Sequence, residues 1–260
     1  MSEEAIEAPE RHIRFEQVFN FRDLGGHPTA DGRTTRWRTL FRSDAMYAFS
    51  DGDRDRMSDE LGVQAIIDLR DSGSVKRGPA NVDASVTIHH VQFMDDVALR
   101  AYGEQWGSVP STGWYLDVLR SAEELGNVRR AFEIFSRPET YPAVFNCSLG
   151  KDRAGLVAAL VLATLGVDDA VTIADYERSA QNMGPIKERA ERARAARTSN
   201  PLKLTPLKPE SFQAEGPWMQ GVLDTLRERH GSVRGYIESQ GVSSDALDRF
   251  ADLLLEYVSS

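Results

Sequence analysis

Three short apolar segments, rich in β-branched or aromatic residues, predict the strands of a sheet. Residues 63–69 form the most continuous run, and residues 86–93 alternate enough between apolar and polar positions to form a second strand. Residues 141–146 form the third strand, which is entered through Pro142, because proline is tolerated where a strand begins. The pattern therefore predicts a sheet with at least three strands.

Apolar positions with helical spacing fill the chain between and after these strands. The second and third strands are separated by one such segment, and a continuously apolar one follows the third strand and ends at Gly166. Helices are predicted at residues 123–135, 153–165, 170–183 (ended by Gly184–Pro185), about 217–230 and about 244–257. Because strands alternate with helices, the expected fold class is α/β, with a central, mainly parallel sheet flanked by helices.

A charged segment at about residues 185–210 departs from this pattern. Residues 187–197 carry charge along their whole length and offer the core little apolar face, and the prolines that follow make the chain extended or looped. Between residues 187 and 208, seven basic residues oppose two glutamates: Lys187, Arg189, Arg192, Arg194, Arg197, Lys203 and Lys208 against Glu188 and Glu191. Two interpretations stay open, a solvated helix face or a helical lid that attracts an anionic substrate.

Composition limits the function classes. The 260 residues include 31 Lys and Arg against 40 Asp and Glu, a net charge of −9, which argues against general nucleic-acid binding. The longest apolar run, residues 154–167, is shorter than the roughly 20 residues that span a bilayer. The acidic N-terminus lacks the order of a signal peptide, so a cytoplasmic location is expected, with leaderless export left open. We expect a flexible tail at residues 1–13 and a single domain at residues 14–260.

The stretch from Cys147 to Gly155 carries the candidate chemistry. Cys147 is the only cysteine, and Arg153 follows it with five residues between them, in a loop that joins a predicted strand to a predicted helix. Such a loop points backbone N–H groups at one place, where the helix dipole adds positive potential, so that a tetrahedral oxyanion is bound. The same groups would stabilise a Cys147 thiolate as a nucleophile, while the Arg153 guanidinium could hold two phosphoryl oxygens. The plainer alternative is a buried cysteine beside a helix that is capped by Asp152.

This loop resembles the signature of the Cys-dependent phosphatases of the tyrosine and dual-specificity superfamily. Its Gly-Lys-Asp-Arg core, residues 150–153, is similar to the bacterial and fungal tyrosine phosphatase branch. Asn20–Gly26, Leu40–Asp44 and Ile66–Arg70 resemble further motifs of that branch, so the likeness covers roughly residues 14–257. The charged residues of these motifs are expected to form structural ion pairs and turn contacts near the site: Arg22, Asp23, Arg42, Asp44, Asp68 and Arg70.

The resemblance implies a phosphate monoester hydrolase that acts on phosphotyrosine, and also on phosphoserine, phosphothreonine or phosphoinositides, through a cysteinyl-phosphate. Cys147 would be the nucleophile, Arg153 the phosphate ligand and Asp152 the general acid, with Asp95 or Asp96 as the rival acid. Neither a metal nor another cofactor is expected. The remaining substrate-binding positions implied are Ser148, Leu149, Gly150, Lys151 and Ala154.

Two positions depart from the branch's pattern. Asn146 stands where histidine usually precedes the nucleophile, and Ala154 stands where a serine or threonine hydroxyl usually eases departure of the thiolate. Asn146 could keep a hydrogen bond but offers no charge. We therefore expect slow turnover, and a phospho-ligand-binding protein of the same fold with little turnover remains the alternative. Another thiolate chemistry, such as arsenate reduction, is less favoured because no second cysteine is present.

Overall fold

The structure is a computed structural model that describes residues 10–95, 110–196 and 209–257. Its main sheet has five strands, and a second sheet pairs two more. The strands in chain order are β1 (Arg22–Asp23), β2 (Arg33–Thr35), β3 (Leu40–Ser43), β4 (Ala65–Asp68), β5 (Thr87–His90), β6 (Ala143–Asn146) and β7 (Leu255–Tyr257). The main sheet has the order β1-β3-β6-β4-β5, in which only β1 is antiparallel to its neighbour.

Alternate residues of the central strands pack into two hydrophobic cores, one on each face of the sheet. Ile67 and Phe145 belong to the larger core, which the helices cover. Ile66 and Val144, their chain neighbours, belong to the smaller core. Ile13 is buried in that smaller core, so the fold begins before the predicted tail ends at residue 13.

The helices surround this sheet as the α/β prediction requires, and that fold class is confirmed. They are α1 (Asp51–Asp55), α2 (Ser72–Arg77), α3 (Thr112–Glu124), α4 (Asn127–Phe135), α5 (Asp152–Thr164), α6 (Asp169–Glu177), α7 (Met183–Ala195), α8 (Gly216–His230), α9 (Val233–Ser239) and α10 (Ser244–Leu254). A π-helical turn follows α1, and short 3₁₀ turns occupy several connections. None of the helices within the described ranges is both long and apolar enough to cross a membrane.

Several predicted boundaries were wrong for local reasons. The helix predicted at residues 123–135 is broken by Gly126, whose φ of 67° starts α4 after α3 has ended. The helix predicted at 170–183 ends at Glu177, and Gly184–Pro185 lie in the first turn of α7 rather than ending a helix, since proline is tolerated there. The last three residues of the predicted C-terminal helix form β7, which pairs with β2.

The described part of the charged segment, residues 187–196, offers the core little apolar face, as predicted. The residue buried there is an arginine, Arg189, whereas the buried apolar residues Met183 and Ile186 of α7 precede that segment. The Arg189 guanidinium lies 2.8 Å from Oδ2 of Asp44, just after β3, and donates to the carbonyl of Gln17. Arg189 therefore anchors the described half of the basic segment to the domain, while Glu188, Glu191 and Arg192 are exposed, and residues 197–208 lie outside the described residues.

Candidate active site

Three parallel strands end at the same edge of the sheet, and Cys147 lies there. In register, Asn146 of β6 is flanked by Ser43 of β3 and Asp68 of β4. Cys147 follows directly, is 1% exposed, and donates its backbone N–H to the carbonyl of Ser43 at 3.4 Å. The predicted nucleophile is thus held at the carboxyl edge of the sheet, where α/β folds place ligands.

The loop between Cys147 and α5 has its carbonyl groups held from outside. Three carbonyls accept hydrogen bonds from the surrounding framework: Ser148 from Ala45 N at 3.5 Å, Leu149 from Asn20 Nδ2 at 3.1 Å, and Gly150 from Arg42 Nη2 at 2.7 Å. No described residue accepts a hydrogen bond from the backbone N–H groups of residues 148–151. These amides, beside a helix N-terminus, can bind a tetrahedral anion.

Gly150 is required by this path of the chain. Its φ is +68°, which residues with a Cβ rarely adopt, and a Cβ there would lie 2.6 Å from the backbone N of Asp44. Any larger residue would push the loop away from β3 and disturb the ring of amides.

Arg153, in the first turn of α5, lies across the loop. One guanidinium nitrogen donates to Ser148 Oγ at 3.2 Å, and the other lies 3.5 Å from the Leu69 carbonyl and 3.8 Å from Oδ2 of Asp71. Asp71 caps α2 by accepting from Ser74 N at 2.7 Å. Although burial alone would raise it, the hydrogen bonds from Ser74 and the charge of Arg153 lower the pKa of Asp71. Sequence reasoning missed Asp71, whose only signal is its position after the motif strand β4.

Asp152 is not the helix cap of the alternative interpretation. It is the first residue of α5, Lys151 occupies the N-cap position, and no side chain makes a capping hydrogen bond. Oδ1 of Asp152 instead accepts a 2.7 Å hydrogen bond from the Tyr115 hydroxyl, which is also 2.7 Å from the Tyr176 hydroxyl. The carboxyl group is thus oriented by a buried pair of tyrosines, to neither of which the sequence analysis assigns a role.

Lys151 turns its charge away from open solvent. Its side chain is fully buried, and Nζ donates to the carbonyl of Gln213 at 2.6 Å and lies 3.0 Å from Oδ1 of Asp152. The ammonium of this implied substrate-binding residue therefore contacts the general-acid candidate in this structure. Its backbone N–H remains part of the amide ring.

A buried ion-pair network supports the loop from below, as the motif residues predict. Asp175 of α6 pairs with Arg22 at 2.8 Å and with Arg42 at 2.6 Å. Although burial alone would raise it, the two arginines hold the pKa of Asp175 well below its ordinary value. Burial and the charge of Arg22 lower the pKa of Arg42 to about 10, whereas a negative charge on Cys147 acts in the opposite direction. Arg42 therefore stays cationic at neutral pH.

The remaining motif charges are also structural. Asp68 pairs with Arg70 at 2.6 Å, and Asp23 accepts hydrogen bonds from the backbone N–H groups of Gly25 and Arg38. Burial raises the pKa of Asp44 despite its pairing with Arg189. These contacts confirm the predicted structural roles of this set.

The remaining predicted positions are the rival acids Asp95 and Asp96 and the two unusual residues Asn146 and Ala154. The carboxylate of Asp95 accepts a hydrogen bond from Ser121 on α3 at 3.2 Å, and Asp96 lies outside the described residues. Both side-chain polar atoms of Asn146 are buried without a hydrogen-bond partner among the described residues, so the hydrogen bond expected of this amide is not made. Ala154 is fully buried at the start of α5 and offers the loop no hydroxyl. No group of metal-ligating side chains occurs among the described residues.

A cysteine below a ring of unpaired amides, with an arginine on the following helix, defines a protein that binds tetrahedral oxyanions. The sequence also matches the tyrosine phosphatase family over residues 13–256, so the chain belongs to that family and is a protein-tyrosine-phosphatase-type enzyme. Among curated proteins it is 26% identical to the triple specificity protein phosphatase PtpB of Mycobacterium tuberculosis, over 92% of this chain and 97% of that protein.

A second curated relative is consistent with this membership. A Cupriavidus necator protein whose name also describes a tyrosine-protein phosphatase is 28% identical, over 87% of this chain and 83% of that protein. The solved structure of the Siw14 catalytic core is 16% identical with a TM-score of 0.39, over 76% of this chain and 99% of that chain.

Proposed function

We propose that this enzyme hydrolyses phosphotyrosine through a cysteinyl-phosphate on Cys147. The observation that carries the proposal is the loop itself: its carbonyls at residues 148–150 are held by Ala45, Asn20 and Arg42, and its amides are left to bind phosphate. Arg153 lies over the same ring and supplies a planar pair of donors to the phosphoryl oxygens. Family membership supports the reaction class.

In the first step the Cys147 thiolate attacks phosphorus, a sulfur–phosphorus bond forms, and the bond from phosphorus to the tyrosyl oxygen breaks. Asp152 gives its proton to that leaving oxygen. The hydrogen bond from Tyr115 and the contact of Lys151 both engage Oδ1 of Asp152, so Oδ2 is the oxygen left to make the proton transfer. In the second step Asp152 takes a proton from water, the water oxygen bonds to phosphorus, and the thiolate of Cys147 leaves as inorganic phosphate forms.

The second step is the slow one. Ala154 has no hydroxyl to stabilise the departing thiolate, and the Asn146 side chain makes no hydrogen bond within the described residues with which to order the loop. Phosphoenzyme breakdown, rather than its formation, then limits turnover.

The substrate range includes more than phosphotyrosine. The name of the Mycobacterium tuberculosis relative states triple specificity, and this chain spans nearly all of that protein. Phosphoserine, phosphothreonine and phosphoinositides are therefore included as substrates in the proposal. Because the Lys151 ammonium is buried on Gln213, a second acidic group of the substrate would have to find its partner elsewhere.

A second candidate function is phospho-ligand binding with little turnover. The side chain of Asn146 has no hydrogen-bond partner among the described residues, and Ala154 has no hydroxyl. Both features slow hydrolysis of a cysteinyl-phosphate, and neither weakens phosphate binding, so they favour this function. In that case Cys147 would serve as the floor of a binding site.

Phosphate release by wild type and by Cys147→Ser, measured on a phosphotyrosine peptide, a phosphoserine peptide and a short-chain phosphoinositide, separates the two. Multiple turnovers by wild type that the substitution abolishes support the enzyme, and the best substrate identifies the class. If wild type binds the phosphotyrosine peptide but releases at most one equivalent of phosphate, phospho-ligand binding replaces hydrolysis as the proposed function.

A further inference from the structure

A cationic cavity of about 370 Å³ lies between the N-terminal segment and the turn that joins α6 to α7. Four arginines line it, together with His12 and one carboxylate, Glu10; the arginines are Arg11, Arg14, Arg22 and Arg178. The whole chain carries a net charge of −9, so this concentration of positive charge is a local reversal of sign. None of the lining residues belongs to the phosphate loop at residues 147–153.

Two of the arginines have unused hydrogen-bonding capacity. Arg14 and Arg178 are exposed, and neither side chain makes a hydrogen bond or ion pair within the part of the chain that the structure describes. Arg22 forms the buried wall of the cavity, where its charge is shared with Asp175. Arg11 donates to the carbonyl of Asp23 at 2.9 Å, which fixes its guanidinium in place.

The basic groups act on one another electrostatically. Burial and the charges of Arg22 and Arg14 lower the pKa of His12. Burial also lowers the pKa of Arg11, and Arg178 and Arg22 lower it further against the attraction of Asp175 and Asp23. Like charges held together in this way are stabilised by an anion that binds between them.

We propose that this cavity binds a small phosphorylated anion at a site separate from the catalytic loop. Guanidinium groups pair with phosphoryl oxygens through two parallel hydrogen bonds, and Arg14 and Arg178 supply such groups from opposite elements. The volume admits a phosphoryl group with part of the molecule that carries it. The ligand class is therefore a multiply charged phosphate, as in pyrophosphate or a small phosphate ester.

The wall of the cavity reaches the catalytic loop through Asn20 and, separately, through the ion pairs that join Arg22 to Asp175 and Asp175 to Arg42. Arg22 donates to Oδ1 of Asn20 at 2.6 Å, and Asn20 Nδ2 donates to the Leu149 carbonyl at 3.1 Å. Substitution of Arg22 would therefore disturb the catalytic loop as well as the cavity. Arg14 and Arg178 lack such contacts and are the positions to test.

Arginine modification by phenylglyoxal, followed residue by residue with mass spectrometry, tests the site in the intact chain. We expect pyrophosphate to slow modification of Arg14 and Arg178 at least fivefold, and inorganic phosphate to do so at higher concentration. Arg229 and Arg249, which are also exposed, are internal controls whose rates stay unchanged. Equal slowing of modification by pyrophosphate at all four positions would overturn the proposal. So would the same slowing at Arg14 and Arg178 by potassium chloride at equal ionic strength.

The Arg153→Ala variant separates this site from the proposed catalytic function. Protection of Arg14 and Arg178 by pyrophosphate persists in that variant if the cavity is the binding site, and is lost if the loop is. In the Arg153→Ala background, we expect the pair Arg14→Gln with Arg178→Gln to weaken pyrophosphate binding at least fivefold by calorimetry. The charge-matched pair Arg229→Gln with Arg249→Gln should leave it unchanged, and an equal loss with both pairs would contradict a specific site.

Discussion

The hydroxyl of Tyr115 donates a 2.7 Å hydrogen bond to Oδ1 of Asp152, at the point where the catalytic loop becomes a helix. Tyr176 lies 2.7 Å from the same hydroxyl, so its own proton completes a chain of two hydrogen bonds that ends on the carboxyl group. Burial, foremost, raises the pKa of Tyr115 well above its ordinary value of 10.0 and also raises that of Tyr176. Both tyrosines therefore remain protonated donors across the working pH range.

Substitution of Tyr115 by phenylalanine removes the donor that orients Asp152. A hydrogen bond to a charged group contributes about 1.5–3 kcal/mol, so we expect kcat/KM, which reports formation of the phosphoenzyme, to fall roughly tenfold or more for substrates whose leaving oxygen needs a proton. The effect should be much smaller with an activated aryl phosphate, whose leaving group needs little protonation. Steady-state kinetics over a range of pH, on both substrate types, measure this difference and the accompanying shift of the pH profile.

Tyr236→Phe is the matched control for this prediction. Its hydroxyl also donates to a carboxylate, that of Glu123 at 2.6 Å, and Tyr236 is buried between helices away from the loop. Equal losses in the Tyr115 and Tyr236 variants, or equal losses on the two substrates, would show that Tyr115 supports only the fold.

Ala154→Ser should accelerate breakdown of the phosphoenzyme. A hydroxyl in the first turn of α5 could donate to the departing thiolate, and one such hydrogen bond of about 1.4 kcal/mol corresponds to roughly a tenfold faster step. Rapid-quench kinetics should show a burst of tyrosine release in wild type and a smaller burst with faster turnover in the variant. Ala158→Ser, equally buried and one helical turn later, should leave both unchanged. An unaltered burst in Ala154→Ser would mean that another step limits turnover.

Asp175→Asn should destabilise the fold strongly. It leaves Arg22 and Arg42 buried without their carboxylate, and breaking a buried pair in this way costs about 3–5 kcal/mol of unfolding free energy. Urea unfolding at neutral pH measures the loss. Asp248→Asn is the control, because its ion pair with Arg234 is exposed and such pairs contribute about 0–1 kcal/mol.

The Asp175 contribution has a defined pH dependence. Because its pKa is lowered in the folded state, the stabilisation is present above the ordinary value of 3.8 and is lost as the pH falls toward the folded pKa. The difference between wild type and Asp175→Asn should therefore shrink in acid. A difference that stays constant through this range would contradict the assignment of the carboxylate as the partner.

Because of His27, the free energy of unfolding should begin to fall as the pH drops below 6.5. Burial, foremost, and the nearby Arg11 charge lower the pKa of His27 from 6.5 to about 4, so the folded protein holds it neutral. The free energy of unfolding is then at its full value above pH 6.5. It falls by about 3 kcal/mol as the pH drops to 4, because the unfolded chain binds the proton more readily than the folded protein. His27→Gln should flatten the slope of unfolding free energy against pH in this window. An unchanged slope would place the proton uptake elsewhere.

The local parts of the site could be predicted from the sequence. Strand β6, the loop after it and helix α5 are consecutive in the chain, and the positions of Cys147, Gly150 and Arg153 follow from that order. Asp152 could be nominated but not distinguished from a helix cap, because the difference depends on Tyr115, which lies 37 residues earlier. Residues 112–122 of α3, which carry Tyr115, were not predicted as helix, so no expectation about Tyr115 was possible.

Pairing between distant charges was the other part that periodicity could not show. Arg189 sits in a segment that is charged throughout, and its burial depends on Asp44 at the far end of β3. A pattern of hydrophobic positions predicts that such an arginine is solvated. A charged side chain is buried only where a partner of opposite charge is present, and the local sequence does not show that partner. The role of Asp71 could not be predicted for the same reason, because its partner Arg153 is distant in the sequence.

The central claim is that Cys147 carries the phosphoryl group during turnover. Wild type mixed with a phosphotyrosine peptide and quenched in acid within the first turnover should carry one phosphoryl group, which mass spectrometry locates on Cys147. Cys147→Ser should release no tyrosine and carry no such group. Turnover of the peptide with Cys147 unmodified at every quench time, or activity retained in Cys147→Ser, would contradict the account.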